Sequence, residues 1–293
     1  MNRCFLEISM PVSIQSVFII LSLAGSLFVS GCSSRKINMQ EGKFPEEMVY
    51  TMSEDGVPNA GMIFNVSPDS AGTTVVIWVH GWGVNFYYPT YVNIGRSLAE
   101  QGYACINVNT RMHDIGFNIG ETKTMRIRGG GYWGKPSEEV LDLAAWVDFA
   151  EKKGFKHVVL VGHSAGWEAV CRYQAEKQDP RIAGIVLASG SVTANTDPPD
   201  PELLEGATRL VAEGHGDDLL RIPNRRFPSF ISAATFLDMA ETRIEYKDFF
   251  GIRTPNPGIS RIRCPILAWY GTGDDVGNES DLDLLKSCIR KLS

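Results

Sequence analysis

His157-Val158-Val159-Leu160-Val161-Gly162-His163-Ser164-Ala165-Gly166 changes character in its middle. Its first half, from Val158 to Val161, is an unbroken apolar run of the kind a strand buried on both faces requires. Its second half has the spacing G-x-S-x-G, and residues 166–177 then read as a helix. A turn this tight between strand and helix leaves no room for side chains at its two glycines. It lifts the serine hydroxyl above the sheet edge, and the N–H groups that open the following helix face the same space. Ser164 is therefore a candidate nucleophile.

Working outward, strands and helices alternate. Residues 47–53 and 60–66 flank the turn-rich Glu54-Asp55-Gly56-Val57-Pro58-Asn59 and read as a hairpin. Thr74–Val79, Ala104–Val108, Ile182–Ala188 and Pro265–Tyr270 repeat the buried-strand pattern. Helices are expected over 90–101, 136–153, 166–177 and 281–291. This order predicts an α/β fold, a doubly wound and mostly parallel sheet with helices on both faces. Between about 190 and 262 the rhythm breaks. A Pro-rich loop, Asp197-Pro198-Pro199-Asp200-Pro201, precedes helical stretches near 202–213 and 229–241, which reads as a helical lid insertion.

The N-terminus carries an address. Residues 17–29 are apolar and uncharged, too short at about 20 Å of helix to span a bilayer core of about 30 Å. They read as the core of a signal peptide. Val29-Ser30-Gly31-Cys32 follows and resembles the lipobox of bacterial lipoproteins. That resemblance implies cleavage before Cys32 and its acylation, which anchors the chain in the cell envelope. Ser33 in place of Asp points to the outer rather than the inner membrane. The expected organisation is a signal over 1–31, a tether over 32–45 and one catalytic-type domain over 46–293.

Composition excludes other classes. With Lys+Arg at 28 against Asp+Glu at 34, the net charge of −6 gives no basic face for nucleic acid. Six scattered cysteines form neither a disulfide framework nor a zinc site.

In its strand–turn–helix context the elbow resembles that of the α/β-hydrolase superfamily, and the likeness runs over about residues 46–292. His80-Gly81-Trp82-Gly83 after the first parallel strand is similar to the family's oxyanion loop. The resemblance implies backbone donors at Trp82 and Ala165, with His80 orienting the loop. Gly271-Thr272-Gly273-Asp274-Asp275 follows the last apolar run. The family's acid falls at Asp274 in this pattern, with Asp275 one register away. No cofactor or metal is implied.

A serine nucleophile needs a base, usually histidine. The family order places it after the acid, about 26 residues on by ordinary element lengths, near position 300. All five histidines, at 80, 113, 157, 163 and 215, precede Asp274. The expectation is thus a domain incomplete at its C-terminus, lacking the last strand and helix. Substitution by another histidine and a catalytically silent descendant stay open beside it. The function expected is hydrolysis of a carboxylic ester, or secondarily an amide. The alternative is a lipid-anchored binding protein on the same fold.

Overall fold

The β-branched and aliphatic runs that the sequence marks as buried strands form one seven-stranded sheet. The computed structural model describes residues 39–65, 73–119, 127–190, 199–223, 228–242, 258–271, 273–274, 277 and 279–290. The signal segment, Cys32 and Asp275 lie outside them.

Strands β1 (Glu46–Met52) and β2 (Pro58–Phe64) form an antiparallel hairpin, and β2 joins β4 (Ala104–Val108) antiparallel. From there β4, β3 (Thr74–Val79), β7 (His157–His163), β8 (Ile182–Ala188) and β11 (Ile266–Trp269) are all parallel. A parallel sheet must be covered on both faces. Helix α1 (Pro89–Glu100) covers one face, with Ile94 and Leu98 packed among Phe64, Val76 and Val159. Helices α2 (Glu139–Lys152), α3 (Gly166–Lys177) and α6 (Glu279–Arg290) cover the other, through Trp146, Val170 and Leu282.

Between β8 and β11 lie α4 (Pro201–Ala212), a short hairpin of β9 (Leu219–Arg221) and β10 (Phe230–Ser232), and α5 (Ala233–Thr242). Here the expected helix over 229–241 is corrected. Residues 230–232 are strand, and the helix starts only at Ala233, because the Ser232 hydroxyl accepts from the Thr235 N–H at 3.0 Å and caps it. A second small hairpin, β5 (Phe117–Ile119) with β6 (Ile127–Gly129), was not anticipated at all. Ala207, Ile231 and Phe236 form a separate apolar cluster against which Trp82 packs. The insertion thus rests on the loop that follows β3.

Candidate active site

Ser164 holds a backbone φ of +52°, in the left-handed region that a non-glycine residue occupies only under constraint. The constraint is visible. The Ser164 N–H donates to the Ala188 carbonyl at the end of β8, 2.9 Å away, and the Trp167 N–H returns to the Ser164 carbonyl at 3.2 Å. A Cβ on Gly162 would lie 2.4 Å from the Gly166 carbonyl oxygen and 2.5 Å from Trp167 Cα. One on Gly166 would lie 2.5 Å from the His80 carbonyl oxygen. The two glycines of the motif are therefore fixed by helix α3 crossing directly over β7 and β3.

The loop after β3 runs beside the serine. A Cβ on Gly81 would sit 3.1 Å from Ser164 Cβ. Two contacts set this loop. The His80 ring is buried, its Nδ1 2.7 Å from the Gly81 carbonyl oxygen, and its Nε2 accepts from the Thr110 N–H at 3.1 Å. Those partners assign the proton to Nδ1. Desolvation pulls the His80 pKa down to about 4, so the ring is neutral near pH 7. The carbonyl it holds belongs to the Gly81–Trp82 peptide. In a trans peptide C=O and N–H point in opposite directions, so anchoring this carbonyl on the buried imidazole turns the Trp82 N–H the other way.

The second contact comes from α1. The Gly81 N–H donates to Tyr91 Oη at 3.2 Å, and Tyr91 Oη lies 2.8 Å from His163 Nδ1. The tyrosine hydroxyl thus links the Gly81 N–H to the His163 ring, with the direction of the second bond set by the His163 tautomer. Burial lowers the His163 pKa, and the negative charge of Asp274 opposes that shift. Asp274 is thus brought within electrostatic reach of the elbow. Its own turn is local: the Asp274 N–H donates to the Gly271 carbonyl at 3.0 Å, and its Oδ1 accepts from the Gly277 N–H at 3.4 Å.

The other histidines are placed as follows. His113 Nδ1 lies 2.8 Å from Asp114 Oδ2, and its ring stacks on Phe117 at 4.5 Å. Asp114 also accepts from Asn85 at 2.6 Å and Tyr87 at 3.1 Å, tying the loop after β4 to the loop after β3. His157 opens β7 at the far end from Ser164, and His215 is exposed just after α4. Arg128 lies 3.3 Å from Asp217 and 5.4 Å over the Trp133 ring, so its charge has a structural partner.

A polar cluster that sequence reading missed supports the site from below. Arg111 is buried and reaches Asp142 at 3.0 Å, Glu138 at 2.6 Å and Asp55 at 2.8 Å. Beside it the Thr110 hydroxyl donates to buried Glu139 at 2.6 Å. Burial pushes the Glu139 carboxyl up to about 8, aided by the Asp142 charge and opposed by the Thr110 bond and by Arg172 and Arg111. A small cavity lies between this cluster and the elbow, with His80, Trp82, Glu139, Ala165 and Arg172 in its wall.

Residues 74–227 match the sequence model of a family described as alpha/beta hydrolase fold. Among curated proteins none matches. Solved structures with the same architecture include the esterase Pf2001 of Pyrococcus furiosus, at 16% identity and TM-score 0.53, covering 90% of this chain and 86% of that one. In a second crystal form of that esterase the match covers 61% of this chain and 64% of the other, at 20% identity and TM-score 0.42. A highly thermostable carboxyl esterase from Bacillus coagulans matches at 14% identity and TM-score 0.54, covering 84% of this chain and 87% of that one. The hydrolase GrgF of a Penicillium species matches at 14% identity and TM-score 0.52, covering 84% of this chain and all of the other (100%). At these identities the likeness is one of fold.

Proposed function

The chain belongs to the alpha/beta hydrolase fold family, and on that premise we propose that it is a serine hydrolase of carboxylic esters, or secondarily of amides, with Ser164 as the nucleophile. The observation that carries the reading is the pairing of a left-handed Ser164 with the Gly81 backbone against its Cβ. Ser189 holds a similar φ of +54°, so what sets Ser164 apart is not that conformation alone but its place in the G-x-S-x-G turn beside the loop after β3.

In this reading Ser164 Oγ attacks the carbonyl carbon, and its proton passes to a base. The Trp82 and Ala165 N–H groups receive the negative charge that develops on the carbonyl oxygen. Such donors act strongly because they are fixed before the reaction begins, and losing one typically costs about 10²–10³ in rate. Collapse of the tetrahedral intermediate expels the alcohol, and water then releases the acid from the acyl-serine. Asp274 is the acid of this reading and would orient a base histidine, which the family order puts after it, whereas the five histidines of this sequence all precede it. No resident cofactor enters these steps. The same proposal places the chain at the bacterial outer membrane, cleaved before Cys32 and acylated on it, which rests on the Val29-Ser30-Gly31-Cys32 pattern.

The test is hydrolysis of p-nitrophenyl acetate by the chain and its Ser164→Ala variant. An oxyanion site working without the full triad sustains about 10³–10⁴-fold over water, so a slow turnover of that order is expected, falling to the uncatalysed rate in Ser164→Ala. A variant as fast as its parent overturns the hydrolase reading in favour of a lipid-anchored binding protein.

A further inference from the structure

Strand β1 carries an apolar stripe that nothing among the described residues covers. Met48 is 50% exposed, Tyr50 67% and Met52 64%, while Val49 between them is 4% exposed and belongs to the α2–α3 side of the core. Alternation along a strand puts the three large side chains on the opposite face. Across the hairpin Met48 pairs with Met62 and Tyr50 with Ala60, so these share that face, as does Phe64, which packs under α1. The stripe therefore lies on the α1 face, about 13 Å long at strand spacing. Helix α1 packs on β4 and β2, and β1 lies at the sheet edge beyond them.

The chain reaches this face along a fixed path. The Gln40 N–H donates to Asn93 Oδ1 at 2.9 Å, its side-chain amide to Glu100 at 2.8 Å, and its carbonyl accepts from the Arg96 guanidinium. Lys43 pairs with Glu100 at 3.3 Å, and Arg96 with Glu46 at 2.6 Å. All of these partners are on α1 or at the head of β1. The segment before β1 is thus bound to α1 from Gln40 onward and does not act as a free tether.

We propose that the α1 face, with Met48, Tyr50 and Met52 in contact, is the surface this protein lays on a lipid bilayer. The proposal rests on acylation at Cys32, and geometry then restricts the orientation. Eight residue steps separate Cys32 from Gln40, which span at most about 29 Å fully drawn out. A domain of roughly 250 residues has a radius of gyration of about 18 Å and is about 46 Å across. With the opposite face on the bilayer, Gln40 would stand farther from the membrane than the chain can reach. The reach thus rules out the far side of the domain, and the stripe is apolar surface on the side it leaves open. Tyrosine and methionine suit the position, since an aromatic ring with a polar tip settles at the interface and flexible thioethers adapt to it.

The experiment uses the full acylated chain in phosphatidylcholine vesicles doped with a photoactivatable phosphatidylcholine, with lipid adducts mapped by mass spectrometry. The intact mass reads acylation of Cys32 separately. The expected result is adducts concentrated in Glu46–Met52, reduced at least tenfold in the Met48→Ser, Tyr50→Ser, Met52→Ser variant, which keeps its acyl chains and its cooperative melt. Acylated protein with adducts on other faces, or none on β1, overturns the orientation and leaves the anchor standing. An unacylated Cys32 overturns both. If the triple variant instead turns a dimer into a monomer without changing the adduct pattern, the stripe belongs to a second copy of the chain and the proposal falls.

Discussion

Ser164 is held in a conformation worth about 1–3 kcal/mol of local strain, and the neighbouring glycines are what make that possible. Their requirement is specific enough to measure. Gly162→Ala drives a methyl against the backbone of Gly166 and Trp167 at 2.4–2.5 Å, and backbone on both sides cannot rotate away as a side-chain tip would. The expected cost is about 3 kcal/mol, the upper part of the range for overpacking, seen as a lower urea midpoint at unchanged slope. A loss below about 0.5 kcal/mol, the ordinary effect of a surface substitution, would mean that the elbow is looser than described. At this scale the sequence was informative, since close approaches between adjacent elements are encoded by glycine spacing within five residues. It was uninformative about what fixes the loop after β3. His80 is held by Thr110, thirty positions on, and Gly81 by Tyr91 on α1, and no local pattern announces such pairings.

At the scale of elements, the helix expected over 136–153 carries no signal for where its acidic residues point. The structure buries Glu139 and Asp142, three residues apart and so on one face of the helix, against Thr110 and Arg111 of the loop after β4. The pattern was illegible because a charged residue is buried only with its partner, and these partners lie about thirty residues upstream. The β5–β6 hairpin was hidden for a different reason, since its strands are three residues each, below the length at which alternation can be recognised.

The buried Glu139 makes a pH prediction. Its pKa rises from 4.5 unfolded to about 8 folded, so the folded chain retains a proton that the unfolded chain has released. Its contribution to stability is fully present below pH 4.5 and is lost as pH rises through about 8. His80 runs the other way. Its pKa falls from 6.5 to about 4, so its contribution is present above pH 6.5 and is lost as pH falls through about 4. Between pH 6.5 and 8, Glu139 acts without opposition from His80. The unfolding free energy of the parent from urea melts should decline over that window, by an amount on the order of a few kcal/mol at most, and Glu139→Gln should flatten the decline. An equal decline in the variant would place the titrating group elsewhere.

Over the whole molecule, the Ser164 turn, the loop after β3 and the Asp274 turn all project from the carboxyl ends of β7, β3 and β11, where a parallel sheet gathers its loops. The insertion carrying α4 and α5 closes on this edge through Trp82, and its Asp238 accepts from the Ser137 N–H at 3.0 Å just ahead of α2. Strand alternation made this architecture readable from sequence. The binding of residues 40–46 to α1 was not readable, because the run is polar and resembles a free linker until its partners are seen.

The central claim is that Ser164 becomes acylated, and the most direct measurement is mass spectrometry of the protein quenched during reaction with p-nitrophenyl acetate. Deacylation needs a base to activate water as much as acylation needs one to activate serine. The activated aryl ester eases the first step and does nothing for the second, so the intermediate should accumulate. The account predicts one acetyl group per chain, on the peptide containing Ser164, and none on that peptide in Ser164→Ala. Acetylation confined to lysines, or a pattern unchanged by Ser164→Ala, would contradict it.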